Sequence, residues 1–297
     1  MRALFSFLIC LLLLPHAAPA RAQSMPADYN EALQILGKQG DFKDGVLRVG
    51  LPRNDLLVSV AGVATPTAFG FGGWIALTKG DAGMDLFMGD LVLLEDEVNP
   101  VMTALLENGL DVTALHNHFF WEQPRIFYMH VHGHGKAADL ARQFRPALAL
   151  FTKPASSTVP GAPPELHLDA KQISAIVGYP GDTFGAVYKI TVGRPDLQVR
   201  EMGALINSRM GLNTWVAFTG TLDDAVIAGD FAMLEDQVTP VLKALRRHGL
   251  SVVAIHQHMT AARPVIIFLH YWGRGKAIDL AAAFRAALDV TNPGKPR

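Results

Sequence analysis

Slid against itself by 140 residues, the chain aligns Asp90–Phe144 with Asp230–Phe284 without a gap, and 26 of those 55 positions are identical. Unrelated stretches of ordinary composition agree at roughly one position in fifteen. Upstream the offset becomes 141. There Asp28 meets Asp169, Gly37-x-x-Gly40-Asp41 meets Gly178-x-x-Gly181-Asp182, Arg53-x-Asp55 meets Arg194-x-Asp196, and Trp74 meets Trp215. Such a chain must fold as two similar units, each of about 120 residues, an ordinary domain size.

The rest of the chain sets the boundaries. Residues 1–22 carry Arg2, an apolar run from Leu4 to Leu14 and the small-residue pattern Ala18-Pro19-Ala20, as a secretory signal peptide does. The apolar run is too short to span a bilayer as a mature helix. The single cysteine, Cys10, falls inside it after Ile9, which is not a lipoprotein acceptor site. The expectation is a soluble periplasmic or secreted protein, not a lipoprotein, with no disulfide or thiol chemistry. The first repeat is placed at 23–150, a proline-rich linker at 151–168, the second repeat at 169–290, and a tail at 291–297. Without Arg2 and Arg21, 24 basic residues face 27 acidic ones, and no basic block exists to hold nucleic acid.

Each structural expectation can be made twice. A short helix opens the unit, with Asp28-x-x-Glu31 at capping-box spacing and Gly37 as its stop. Strands are expected at Val46–Arg53, Leu56–Val60 and Trp74–Thr78, and Leu86–Leu94 is a further apolar segment. Asn99-Pro100 and Thr239-Pro240 read as a cap and first turn of a helix that ends at Gly109 or Gly249. Two strand-like runs follow, Leu110–His118 and Pro124–His132, and a helix from about Gly135 closes the unit. The fold class expected is α+β: two tandem repeats, each a mainly antiparallel sheet with helices packed on it.

Five of the chain's histidines lie between His116 and His134. The duplication retains three, because His116, His118 and His130 recur as His256, His258 and His270, whereas Trp272 and Arg274 replace His132 and His134. On a strand, residues two apart face one side, and two imidazoles so placed can converge on one ion. With an even hairpin register the third histidine joins them. Three histidines with an open position suit Zn, Cu, Fe or Mn. In the bland alternative the histidines sit at the edge of a core, sharing their face with Leu110, Val112, Ala114, Ile126 and Tyr128. Glu122, present only in the first copy (Ala262 in the second), is a candidate ligand or catalytic base, with Arg125 beside it. Accessory candidates are His132, His134 and the repeated acids Glu95-Asp96 and Glu235-Asp236, for which a helix-dipole role is the stronger reading. Asp90 and Asp230 also recur and could complete a shell. The Gly133-x-Gly135-Lys136 pattern reads as a tight turn, Trp74 and Trp215 as core, and the Arg53/Asp55 and Arg194/Asp196 pairs as structural. His116-x-His118-x-x-x-Glu122 has the spacing of a cupin metal motif, but two helices per repeat fit an all-β barrel poorly.

The segments ALHNHFFWEQPRIFYMHVHGHGKAADLA and AIHQHMTAARPVIIFLHYWGRGKAIDLA, each after E-D-x-V-x-P-V-x-x-A-L, resemble the LppY/LpqO family of exported bacterial proteins. The resemblance covers both repeats. It implies an exported location and a domain whose reaction is unknown. The first copy has Val131-His132 where the family has Tyr-Trp; the second keeps Tyr271-Trp272 but lacks the acidic loop residue and the arginine. Two functions follow: metal binding through the repeated histidines, with hydrolase or oxygenase activity, or a non-catalytic module that binds a small molecule, an envelope glycan or a partner protein.

Overall fold

Each half builds a six-stranded antiparallel sheet, and the duplicated sequence builds it twice in the same order. The computed structural model describes residues 24–151 and 166–291, so the expected signal segment, residues 152–165 of the linker and residues 292–297 lie outside the described residues. The first half contains α1 (Ala27–Leu36), β1 (Asp41–Lys43), β2 (Val46–Pro52), β3 (Val58–Val60), β4 (Val63–Thr65), β5 (Gly72–Lys79) and β6 (Asp85–Leu94). It continues with α2 (Glu95–Glu107), β7 (Asp111–His116), β8 (Glu122–Gln123), β9 (Ile126–Gly135) and α3 (Ala137–Phe151). The second half repeats this as α4 (Ala170–Val177), β10 (Asp182–Phe184), β11 (Val187–Gly193), β12 (Arg200–Glu201), β13 (Ala204–Leu205) and β14 (Asn213–Gly220). Then follow β15 (Ala225–Met233), α5 (Glu235–Arg247), β16 (Ser251–His256), β17 (Ile267–Gly275) and α6 (Ala277–Thr291). The sheet orders are β1-β2-β5-β6-β9-β7 and β10-β11-β14-β15-β17-β16.

Alternation along the central strands decides what lies on each side. In β6 and β9, Phe87, Leu91, Leu93, Met129 and Val131 join residues of α1, α2 and α3 in one core. The intervening residues Leu86, Met88 and Val92, with Ile126 and Tyr128, enter two further cores that mix residues of both halves. Thus each sheet carries helices on one face and the other half of the molecule on the opposite face. The second half behaves alike: Leu269 faces its own helices, whereas Ile266 and Phe268 face the first half. A strand apolar on both faces is covered on both, and here the second cover is the duplicate.

Several local expectations are corrected. The helix α2 begins at Glu95, not at Asn99-Pro100, and Pro100 lies inside it. Glu97 accepts from the Leu94 amide at 2.9 Å, capping the helix earlier, while Glu95 and Asp96 occupy the first turn where the helix dipole favours acids. Asp28 is not the cap of α1: that position is Pro26, and Asp28 instead binds Lys79 at 2.6 Å. Its counterpart Asp169 does cap α4, accepting from Gln172. Gly133 is no turn but a strand residue, where a Cβ would come within 2.5 Å of Leu110 and 2.7 Å of Leu140. The structural pairs are present: Arg53 binds Asp55 at 2.8 Å and Glu97 at 2.6 Å, and Arg194 binds Asp196 at 2.8 Å.

A bulge in β7 has the largest consequence. Pairing with β9 shifts between Val112 and Ala114, leaving Thr113 as the extra residue, and β16 repeats the shift between Val252 and Ala254. One inserted residue exchanges the two faces of everything beyond it. Leu110 and Val112 therefore face the helices and not the histidine side, contrary to expectation, while Ala114 and His116 face the other half.

Candidate metal centre

The strand register lines up a row of residues across each sheet. Trp74 pairs with Asp90, Asp90 with His130, and His130 with Ala114. The equivalent row is Trp215, Asp230, His270 and Ala254. Both rows lie on the sheet faces turned toward each other. His116 and His256 end β7 and β16, and His118 and His258 follow in the loops.

The two sets of histidines meet. Ring centroids of His116 and His256 are 3.7 Å apart, those of His118 and His270 3.6 Å, and those of His130 and His258 3.9 Å. Exchange of the halves turns the second contact into the third, so the cluster is nearly two-fold symmetric. Within the first half, His116 Nε2 and His130 Nε2 are 3.1 Å apart. Tyr128 stacks on His118 at 3.2 Å and Phe268 on His258 at 3.4 Å, which fixes both loop rings. The Thr113 hydroxyl, brought round by the bulge, donates to the His258 carbonyl at 2.7 Å.

Three overlapping groups place their ligand atoms within 4.8 Å of one another: His116, His256 and His270; His130, His256 and His258; and Asp230, His258 and His270. Each contains residues from more than one strand, and the two all-histidine groups each draw on both halves. An H-x-H pair therefore does not close a site with the third histidine of its own hairpin alone.

The electrostatics favour neutral imidazoles. Burial lowers the His116 pKa to about 4, with a hydrogen bond to the Asn117 backbone working against it. Burial, reinforced by neighbouring histidines, holds His118, His130, His258 and His270 well below their ordinary value. His256 is lowered by burial and then by His116. His270 Nδ1 lies 3.2 Å from the Gly229 carbonyl; when it donates there, Nε2 keeps its lone pair for the cluster. Gly89 supplies the corresponding backbone contact to His130. Both ring nitrogens of His118 and His256, and Nε2 of His258 and His270, are buried with no hydrogen-bond partner among the described residues. Leaving so many polar atoms unsatisfied is costly, and a cation that accepts imidazole lone pairs removes the cost. Asp90 adds a buried, unpartnered oxygen; burial raises it to about 7 despite the pull of Arg48 and Lys189. Asp230 is raised well above the carboxylate range, again by burial first.

The other candidates lie apart. Glu122 pairs in β8 with β3, is buried beside Asn117 at 3.4 Å and Arg125 at 3.8 Å, and belongs to none of the three ligand groups. Arg125 is exposed, with its guanidinium 5.8 Å from the Phe127 ring centroid. His132 approaches Glu201 of the second half at 3.4 Å, and His134 approaches Asp81 at 3.3 Å. Glu95, Asp96, Glu235 and Asp236 are exposed in the first turns of α2 and α5. Of the repeated acids, Asp90 and Asp230 are the ones at the histidines.

Next to the cluster lies a cavity of about 360 Å³ between the halves, lined by His118, His258 and His270, by both aspartates, and by residues that sequence reasoning passed over. Arg48 lies 4.0 Å from the Trp74 ring centroid, and Lys189 lies 4.0 Å from that of Trp215. These are equivalent positions at the 141-residue offset, a signal present in the alignment that the two tryptophans, read as core, concealed.

Comparison with known proteins bears on the fold and the duplication. The profile of a family described as Domain of Unknown Function (DUF1259) matches residues 30–150 and again 171–290. No curated protein matches. Two solved structures are similar in part. EtuB from Clostridium kluyveri is 11% identical with a TM-score of 0.20, over 84% of this chain and 90% of that one. A trimeric bacterial microcompartment shell protein, PduB, is 12% identical with a TM-score of 0.22, over 86% and 91%. Similarity at that level carries no argument about architecture or role.

Proposed function

We propose, for a chain that belongs to the family described as Domain of Unknown Function (DUF1259) through both of its halves, that it is an exported metal-binding protein with one centre shared between the halves. The ligands are drawn from His116, His118, His130, His256, His258 and His270, with Asp90 and Asp230 as the carboxylates. One observation carries this reading: buried imidazoles from both halves, held neutral, converge with orphaned nitrogens. Imidazole-rich sites with a carboxylate suit Zn, Cu, Fe or Mn. The adjoining cavity gives a bound metal access to a small molecule, as hydrolase or oxygenase chemistry requires. The name LppY/LpqO and the periplasmic or secreted location, which rests on the 1–22 segment, belong to this proposal. No helix among the described residues is long and apolar enough to cross a membrane.

Elemental analysis of untagged protein is the test. Near-stoichiometric metal in the purified chain, lost in His256→Ala, supports the reading. A metal-free protein that stays empty after dialysis against each of the four cations would remove it. The alternative, a non-catalytic module for a small molecule or envelope component, is favoured by the cavity alone and would then stand.

A further inference from the structure

The cavity is walled by two tryptophans, and each carries a cation over its ring. Arg48 spends one donor on the Arg209 carbonyl at 2.7 Å. The Lys189 ammonium lies over the Trp215 ring, and the charges of Asp230 and Asp90 act on it across the cavity. Arg209 lines the same cavity, has a buried Nε without a partner among the described residues, and is otherwise paired with Asp41 at 2.8 Å. Like charges thus face one another in a partly enclosed space: Arg48 works against the charge on Lys189, and Arg209 against that on Arg48. Such an arrangement is unfavourable unless an anion sits between them.

The counter-charges in the cavity are Asp90, which acts on both Arg48 and Lys189, and Asp230, which acts on Lys189; both carboxylates also approach the histidines. Asp90 approaches His130 at 3.9 Å, and Asp230 approaches His258 at 3.8 Å. Once these two carboxylates compensate a divalent cation, the two positive charges of Arg48 and Lys189 remain. Arg209 has Asp41. Each tryptophan ring already carries a cation, Arg48 over Trp74 and Lys189 over Trp215, which disfavours a cationic ligand beside them. Size is limited as well. Gly211 sits at φ 91° where a Cβ would come within 3.2 Å of Trp74, so the walls close tightly around a space of about 360 Å³.

We infer that this cavity receives a small dianionic molecule through a carboxylate or phosphate group clasped between Arg48 and Lys189, with its other end toward the histidine cluster. The inference rests on the proposed metal centre for the second contact and for the charge balance, but the first contact is made by the chain alone. It names a substrate class for that centre: compact oxyanions, and neither sugars without charge nor cations. A free phosphate and a dicarboxylate share this chemistry, so both serve as probes.

The test is calorimetric titration of the full chain, metal-loaded and chelator-treated, with sodium malonate and with inorganic phosphate, and with tetramethylammonium as the cationic control. Metal content is measured before and after each titration. The expected result is saturable binding of malonate, phosphate or both, none of tetramethylammonium, and at least about tenfold weaker binding in Lys189→Gln with metal content unchanged. A tenfold loss corresponds to about 1.4 kcal/mol, what one charge-assisted hydrogen bond supplies. Lys189→Arg, which copies the first half, restores binding. Metal should tighten the anion, and the anion should tighten the metal by the same factor. If the metal binds and neither anion does, or Lys189→Gln binds both as tightly as the parent, the inference falls while the metal centre stands. If the anion binds with the same Lys189 dependence to protein that never takes up metal, the cavity assignment stands and the metal reading falls.

Discussion

The His130 ring of the first half stacks on the His258 ring of the second, with centroids 3.9 Å apart. That contact makes the centre a property of the pair of halves. A metal site shared in this way loses its coordination whichever half is altered.

His130→Ala and His258→Ala are therefore expected to lower metal content to a similar degree. The double variant should be scarcely worse than either single one, because residues that act on one ion are not additive. Elemental analysis of the three proteins measures this. Independent sites would instead show two separable, additive losses, and the shared centre would be wrong.

Among the acids, Asp230→Asn is expected to weaken metal binding by about 10–100-fold, as loss of a carboxylate partner commonly does. Glu122→Gln should change it by no more than about twofold, because Glu122 lies with Asn117 and Arg125, outside the ligand groups. Competition titrations with a chromophoric chelator rank the two. The reverse order would return Glu122 to the site.

Stability of the metal-free protein should fall as pH drops from about 6.5 toward 4. An unfolded chain protonates its imidazoles near 6.5, whereas burial holds His116 at about 4 and the other five also below their ordinary value. Between these values the unfolded state binds more protons. Asp90, raised from 3.8 to about 7, acts in the opposite sense, gaining stability as pH falls through 7, and Asp230 joins it. Six histidines outweigh two acids over this window. Urea midpoints of chelator-treated protein should be lower at pH 5 than at pH 7, with a shallower difference in His118→Asn/His258→Asn. An equal or higher midpoint at pH 5 would mean that the rings are solvated.

Gly229→Ala should destabilise the fold by about 1–3 kcal/mol, the usual cost of overpacking. An added Cβ would meet the Trp215 carbonyl at 2.1 Å and the Tyr271 hydroxyl at 2.2 Å, both rigidly placed. The same change shifts the carbonyl beneath His270, so metal affinity should fall along with the thermal midpoint. Unchanged stability would show that Tyr271 yields its place freely.

The sequence alone determined the duplication, the α+β class, the helix stops at Gly37 and Gly109, and the three histidines that each copy keeps. These follow from local periodicity and turn chemistry, which act within a few residues and were repeated at both offsets. The bulges at Thr113 and Val253 were invisible to a strict alternation count, and they decide which face of β7 and β16 carries the histidines. Placement of Asp90 beside His130 came from strand order, since β6 and β9 are neighbours only in the sheet. Pairing of His116 with His256, and of Arg48 with Lys189 across a cavity, came from two sheets packed face to face. Periodicity states which side of its own strand a residue takes. What stands opposite depends on burial between segments 140 residues apart, and only the tertiary structure decides that.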